Sequence, residues 1–517
     1  MKTFALLMAL AAPADARDLT IGRATEPSSL DPQFALTGNN IATSLHMFDQ
    51  LVRFDANLAI RPGLAASWTL VDPETWDVAL RPGVTFQDGS PFTAEDVAFS
   101  LDRIRRVPNS PAPWTHAVGS VRAIEVTGPL SLRVHTNGPA PLLMEEIGAA
   151  FMVSAKSAKD ATSADFNSGR AMVGTGPYRF DNWARGDRLG MTANPAYWQG
   201  RPEFDRVTLR FMGSDAARMA ALLTGEIDVA DNVPPADVAR LAANPDTKVF
   251  STASVRLIYV GLDSDRDISP FVTDEAGAPM ARNPLRDPRV RRAMSSMINR
   301  AALVERVVSG SGVPAGQLVP EGLGGYDPAL KPDPLDVAGA RKLLTEAGYP
   351  KGFGLTLHTS ADRFPGDAAI GQAIGQMFAR GGLRVNGVSA LPYSVYASEA
   401  TQRKYSAFVF SFGGFAGNSS EGLRAVLATY DSARGTGALN RARYANPAFD
   451  AVLARANGAF DEATRNGLLR DATRIAYGDA AMLPLYWLTV NWATRKDLVY
   501  SPNKGETTTA MDTHIAR

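Results

Sequence analysis

The 517-residue chain sets 53 Lys and Arg against 53 Asp and Glu and contains no cysteine. Zero net charge argues against a nucleic-acid binder, which needs a basic surface to hold phosphates. The lack of cysteine excludes disulfides, thiolate metal sites, iron–sulfur clusters, thiol nucleophiles and an acyl-cysteine anchor, while 45% hydrophobic and 21% charged residues describe an ordinary globular chain of about three domains.

Met1 to Ala16 (MKTFALLMALAAPADA) has a Lys near its start, a short apolar run and two small-x-small sites. That is the layout of a secretory signal peptide, 1–16. The run falls short of the roughly 20 residues that a membrane span needs, and no later stretch is long enough. The sequence therefore reads as an exported protein, most simply periplasmic. Further on, short strands and medium helices alternate irregularly, which is a mixed α/β pattern. Thr93-Ala94-Glu95-Asp96 predicts a capping box opening a helix through Arg105. Strands are predicted at Trp76 to Leu80, Val207 to Phe211 and Arg256 to Leu262, the last leading into a Pro-, Gly- and Asp-rich loop at 263–283. Asp287-Pro288 predicts a cap and first turn. The apolar stripe Val290, Ala293, Met294, Met297, Ile298, Ala301 and Val304 then predicts one helix that Gly310 stops. A third helix is predicted from Asp336 to Gly348. Strands follow at Leu355 to His358 and Phe408 to Phe412, with a return crossing near Pro484 to Trp492.

Catalytic chemistry is sparse. His46, His116, His135, His358 and His514 are all the histidines, and none lies within four residues of another, so no helical His pair can clasp a metal. There is no G-x-S-x-G elbow, and the glycine clusters at 174–176, 322–325 and 413–414 lack dinucleotide and P-loop signatures. Glu145-Glu146 are sequence neighbours and do not face each other on a helix. Binding chemistry is what remains. Tyr393, Tyr396, Phe412, Phe415, Tyr486, Trp487 and Trp492 sit beside loops rather than in regular stripes; each reads either as core packing or as the wall of a cleft. Arg363 leaves a predicted strand without a helical pattern, and reads either as a solvated surface residue or as a bidentate anchor for a carboxylate.

Four stretches then resemble a known family in order and spacing. They are Glu26-Pro27-Ser28-Ser29-Leu30-Asp31-Pro32; Phe86-Gln87-Asp88-Gly89-Ser90-Pro91-Phe92-Thr93-Ala94-Glu95-Asp96-Val97; Gly174-Thr175-Gly176-Pro177-Tyr178 with Asn194-Pro195-Ala196-Tyr197-Trp198; and Arg289 to Gly312. The chain resembles the family 5 extracellular solute-binding proteins of ABC importers, of the dipeptide- and oligopeptide-binding type. The resemblance implies an α/β, two-lobed periplasmic-binding-protein fold (type II, the large form with an extra N-lobe subdomain) joined by a hinge. It implies lobe one at 17–48, 187–262 and 488–517, the extra subdomain at 49–186, and lobe two at 263–487.

It also implies a monomeric receptor without enzymatic activity, cofactor or metal. Its partners would be a peptide or small organic solute held in the cleft and an ABC permease, not nucleic acid. Arg363 matches the place of the family's carboxylate-binding Arg. Phe412 and Phe415 stand at the Trp and Asp places of the loop that holds a peptide ammonium, and a phenylalanine offers no salt bridge there. Glu421 is a candidate substitute. The expected ligand contacts are Arg363 for an anion; Tyr393, Phe412, Phe415 and Trp487 as apolar walls; Asn418; and Thr37, Asn39 and Asn40 from lobe one. Glutathione-like peptides, opines and nickel chelates are alternative ligands, and an exported hydrolase or a peptide-binding holdase is the alternative outside the class.

Overall fold

The computed structural model describes residues 17–516 apart from Asp362, Pro365 and Phe415. The expected signal peptide lies outside the described residues, as does Phe415. Two long antiparallel strands, Thr247–Leu262 and Leu483–Arg495, run side by side through the middle of a twelve-stranded mixed sheet. At one end Ala493 and Thr494 pair with Val229–Ala230, and the sheet continues through Asp18–Arg23, Arg206–Phe211, Arg188–Ala193 and Tyr178–Ala184. At the other end Leu257 to Leu262 pair with Ala407–Phe412, followed by Gly354–Ser360, Arg384–Leu391 and Val272–Thr273. The two halves of the sheet carry the two lobes.

Pairing between the long strands runs unbroken from Thr247↔Arg495 to Ala253↔Thr489 and resumes at Leu257↔Trp487. The shift leaves Ser254, Val255 and Arg256 opposite Leu488 alone, an irregularity of the kind that bends and twists a strand. The prediction from Arg256 captured only the second part of this sixteen-residue strand. Its first part, Thr247 to Ala253, lacks a long apolar run and gave no signal.

Beyond the shift the strand alternates between two cores, as its period of two requires. Ile258, Val260 and Leu262 face a cluster with Val290, Met294, Ile370 and Leu485, whereas Leu257 and Tyr259 face one with Phe408, Leu423, Phe449 and Trp487. Both faces are covered, so this stretch is apolar throughout rather than alternating. In the first half of the chain, Ala65–Asp72, Thr75–Leu80, Ser131–Thr136 and Val121–Gly128 form a separate four-stranded antiparallel sheet. Trp76, Val78 and Leu80 point from it into a core shared with Val97 and Leu101 of the helix Ala94–Arg103.

The helix signals resolve into caps with one correction. Thr93 N–H donates to the Asp96 carboxylate at 2.9 Å, completing the capping box. Asp287 caps Pro288–Ser296 through Arg289 N–H at 2.8 Å, and Asp336 caps Val337–Glu346. The stripe from Val290 to Val304 is continuous, but the helix is not. It ends at Ser296, and Asn299 caps a second helix, Arg300–Arg306, by accepting from Ala302 N–H at 2.9 Å. Apolar periodicity cannot distinguish one helix from two when the connecting residues Met297 and Ile298 stay buried.

Several charges inside this fold are paired. Asp31 is fully buried and takes both terminal nitrogens of Arg103 at 3.0 and 2.7 Å, with Ser163 Oγ donating at 2.7 Å. His46 donates from Nδ1 to Ala42 carbonyl and accepts Ala510 N–H at Nε2, tying the carboxy-terminal segment to the first lobe. Burial, reinforced by Arg23, pushes its pKa down to about 4, so it stays neutral. Removing one partner of a buried pair strands the other charge. Asp31→Ala is therefore expected to lower the unfolding free energy by about 3–5 kcal/mol, read as an earlier urea midpoint with an unchanged slope.

Candidate ligand-binding cleft

A cavity of about 740 Å³ lies between the halves of the sheet, over Leu488 to Asn491 of the returning strand. Its first-lobe wall includes Ala24, Asp215 and Asn232, and its second-lobe wall includes Ser311, Arg363 and Asp367. The first wall is held by buried charge. Arg23 Nε donates to Asp231 at 2.7 Å, and the other carboxylate oxygen accepts Ala24 N–H at 2.8 Å. The fully buried Arg218 donates to the carbonyls of Met212, Asp231 and Asn232. Val233 N–H then bonds Asn491 carbonyl, joining this wall to the returning strand.

The second wall is built where Gly354–Ser360 gives way to the helix Asp367–Gly381. Gly366 takes a φ of 77°, a conformation that glycine adopts without steric cost. The buried Asp367 carboxylate then accepts Arg363 N–H at 2.9 Å. This pins the backbone of Arg363 while its side chain stays exposed, with its guanidinium carbon 5.1 Å from the Tyr393 ring centroid. Among the described residues Arg363 makes no ion pair. A cation held over an aromatic face at the rim of a cavity is available to an anion.

The structure brings together only some of the residues singled out in the sequence. Arg363 lines the cavity, and Tyr393, which is not among the lining residues, lies against its guanidinium. Phe412, half-buried, ends its strand beside Gly413 and Gly414, and the Glu421 carboxylate comes within 3.0 Å of where a Cβ on Gly414 would lie. Trp487 is buried in the second-lobe core with its indole N–H on Leu318 carbonyl at 3.1 Å. Thr37, Asn39 and Asn40 open the helix Gly38–Ser44, away from the residues that line the cavity. Asn40 is buried, accepting from Ser28 and Thr37 and donating to Ser29 carbonyl. Asn418 Nδ2 donates to Glu145, in the short helix Leu143–Glu146, at 2.9 Å.

Two charged residues escaped the sequence reading. Arg256, at the shift in the long strand, donates Nε and Nη2 to Glu506 at 3.0 and 2.8 Å. Burial opposes the Arg256 charge, but the Glu506 carboxylate outweighs it and raises the pKa above the ordinary guanidinium value. The available signal was a lone cation in the apolar run Leu257 to Leu262 and its flank. Glu506 sits in a polar carboxy-terminal stretch that carries no pattern at all.

Comparison with known proteins fits this architecture. The family described as "Bacterial extracellular solute-binding proteins, family 5 Middle" matches residues 59–434. A glutathione-binding protein, GsiB of Escherichia coli O157:H7, is 28% identical over 478 residues, 91% of this chain and 89% of the relative. The periplasmic binding protein DppA from Helicobacter pylori, solved with the peptide STSA, superposes with a TM-score of 0.76 at 23% identity, covering 97% of this chain and 99% of that one. HbpA2 from Haemophilus parasuis superposes with a TM-score of 0.82 at 22% identity, covering 97% and 100%. This chain belongs to the family 5 bacterial extracellular solute-binding proteins. No helix among the described residues is long and apolar enough to cross a membrane.

Glu145, which accepts from Asn418, carries a shifted pKa. Burial pushes the Glu145 carboxyl up to about 7, against the pull of Arg465 and the Asn418 hydrogen bond; Glu146 and Glu462 add to the rise. A carboxyl whose folded pKa lies above its unfolded value stabilises the fold at low pH, and that stabilisation is lost as pH rises toward about 7. Glu145→Gln keeps the acceptor and removes the titration. The melting temperature of the wild type is expected to fall relative to this variant between about pH 5 and 8, as followed by scanning calorimetry; parallel curves would refute it.

Proposed function

We propose that this protein is a periplasmic receptor of an ABC importer that captures a peptide-like solute bearing an anionic group and delivers it to a membrane permease. The cavity carries the reading. Its volume of about 740 Å³ lies within the roughly 300–1,000 Å³ usual for small-molecule sites, and it is bounded by both lobes, so closure about the paired strands would enclose a ligand. In this reading 17–48, 187–262 and 488–517 act as lobe one with 49–186 as its extra subdomain, and 263–487 as lobe two. The chain acts as a monomer, without cofactor and without turnover. Arg363 pairs with the ligand anion, with Tyr393 behind it. The relatives named for glutathione and for a peptide point to the same solute class.

Since the chain carries zero formal net charge, selection of an acidic solute falls to such local cations rather than to long-range steering. Thermal-shift screening with peptides, glutathione, opines and metal chelates tests the reading. A ligand present at a hundred times its dissociation constant stabilises by about 2.7 kcal/mol. With the ligand so found, Arg363→Ala is expected to weaken binding by about 2–5 kcal/mol in calorimetry. Unchanged affinity would remove Arg363 from the site.

A further inference from the structure

The two walls of the cavity differ in charge. The charged residues that line it are Asp215, Arg363 and Asp367. Asp367 is buried, and its carboxylate is already occupied by the N–H groups of Arg363 and Ala368, each at 2.9 Å. What remains is an exposed cation, Arg363, on the second-lobe wall and an exposed carboxylate, Asp215, on the first-lobe wall.

Asp215 is held in place from behind. It opens the helix Asp215–Thr224, and its Oδ1 accepts from Nη2 of Arg218, one turn further on, at 2.6 Å. Arg218 has no exposed surface, whereas the Asp215 side chain is 61% exposed. The same guanidinium is committed to the backbone of the wall. Its Nε donates to Asp231 carbonyl at 3.1 Å, Nη1 to Met212 carbonyl at 2.7 Å and Nη2 to Asn232 carbonyl at 3.0 Å. A planar fork fixed at so many points cannot swing, so the carboxylate is in position before any ligand arrives. Such preorganisation lowers the ordering cost of binding. Oδ2 of Asp215 accepts from no described residue. Asn232, tied to the same Nη2 through its carbonyl, also lines the cavity and is exposed. Its side-chain amide bonds no described residue, and its φ of 46° lies in the left-handed region. Backbone strain of this kind persists where surrounding structure imposes it and concentrates at ligand clamps.

We propose that Asp215, braced by Arg218 and flanked by Asn232, is a cation subsite on the first-lobe wall, which selects solutes carrying an ammonium or guanidinium group apart from the anion that Arg363 takes; this rests on the receptor reading above. Ligand N–H groups donate to Oδ2 of Asp215 and to the side-chain carbonyl of Asn232, both of which have acceptor capacity to spare. A solute with both charges then bridges the cavity, its anion on one wall and its cation on the other. The distance between its charges sets how far the walls can approach. A solute that carries an anion alone brings that charge into a cavity where the Asp215 carboxylate stays unanswered, so selection works by repulsion as well as by attraction. Arg363 alone would admit any small acid; Asp215 narrows the choice to zwitterionic and basic peptide-like solutes.

Calorimetry tests this with pairs of solutes that differ by one cation: alanyl-lysine against alanyl-norleucine, and glutathione against its N-acetylated form, with glucuronate as an anion that has no cation. In the wild type, loss of the cation is expected to weaken binding by about tenfold or more in at least one pair, the cost of one charged hydrogen-bonding group. In Asp215→Asn, which keeps an oxygen for Arg218, that penalty is expected to shrink to about threefold or less, because the two changes remove the same interaction. The penalty is a ratio within one variant, so a loss of stability common to both solutes cancels. The wild-type comparison needs no variant, and Asp215→Glu, which keeps the charge, is expected to retain a penalty. Equal binding within both pairs by the wild type, a full penalty persisting in Asp215→Asn, or binding of glucuronate alone would overturn the subsite and leave the receptor standing. If neither these solutes nor a wider set of peptides, opines and sugar acids binds, the receptor reading fails and the subsite with it.

Discussion

Everything in this molecule depends on one pair of strands being shared. Thr247–Leu262 and Leu483–Arg495 are bonded to each other along most of their length, yet their outer partners change from Val229–Ala230 at one end to Ala407–Phe412 at the other. A continuous hydrogen-bonded ladder resists shear, so the lobes cannot slide past each other. The shift at Ser254 to Arg256 is the longer of two places where the ladder gives up its regular pairing, the other lying between Ile258 and Tyr259. Val255, inside the shift, packs in the same core as Leu257 and Trp487, while Val490 on the other side of it belongs to the first-half core. The same shift turns Arg256 out of the apolar alternation and onto Glu506.

Around that axis the molecule separates charge that holds structure from charge that meets solvent. Asp31 with Arg103 and Arg23 with Asp231 are buried ion pairs. The second holds the cavity wall through the bond from Ala24 N–H to Asp231. Arg363 is the opposite case, with its backbone pinned by Asp367 and its guanidinium exposed. Arg256 and Glu506 lie between these extremes, paired but partly exposed.

The sequence made the fold legible and the site much less so, for reasons visible in particular residues. Caps at Thr93, Asp287 and Asp336 are local, and each appeared where its residue types predicted. Strands with one apolar core, such as Leu355 to His358, were equally plain. The stripe from Val290 to Val304 misled because Asn299 restarts a helix inside an unbroken apolar pattern. Site residues have no periodicity. Arg363 was reachable through its position at a strand exit and through family resemblance. The Arg256–Glu506 pair was not, because it joins residues 250 positions apart. Trp487 illustrates the converse: an aromatic beside a predicted crossing looks like a cleft wall in sequence, yet its indole is spent on Leu318 carbonyl in the core.

The shared strands also govern the order in which the molecule can be assembled. Ser251 bonds Asn491 across 240 residues of sequence, and Leu483–Arg495 occupies the middle of the sheet rather than its edge. A nascent chain can form the separate four-stranded sheet early, but each lobe keeps an open strand edge until almost the last residues emerge. Contacts of such long sequence separation slow folding and leave intermediates sticky. The strand that locks the two halves together thus emerges 240 residues after the strand it bonds.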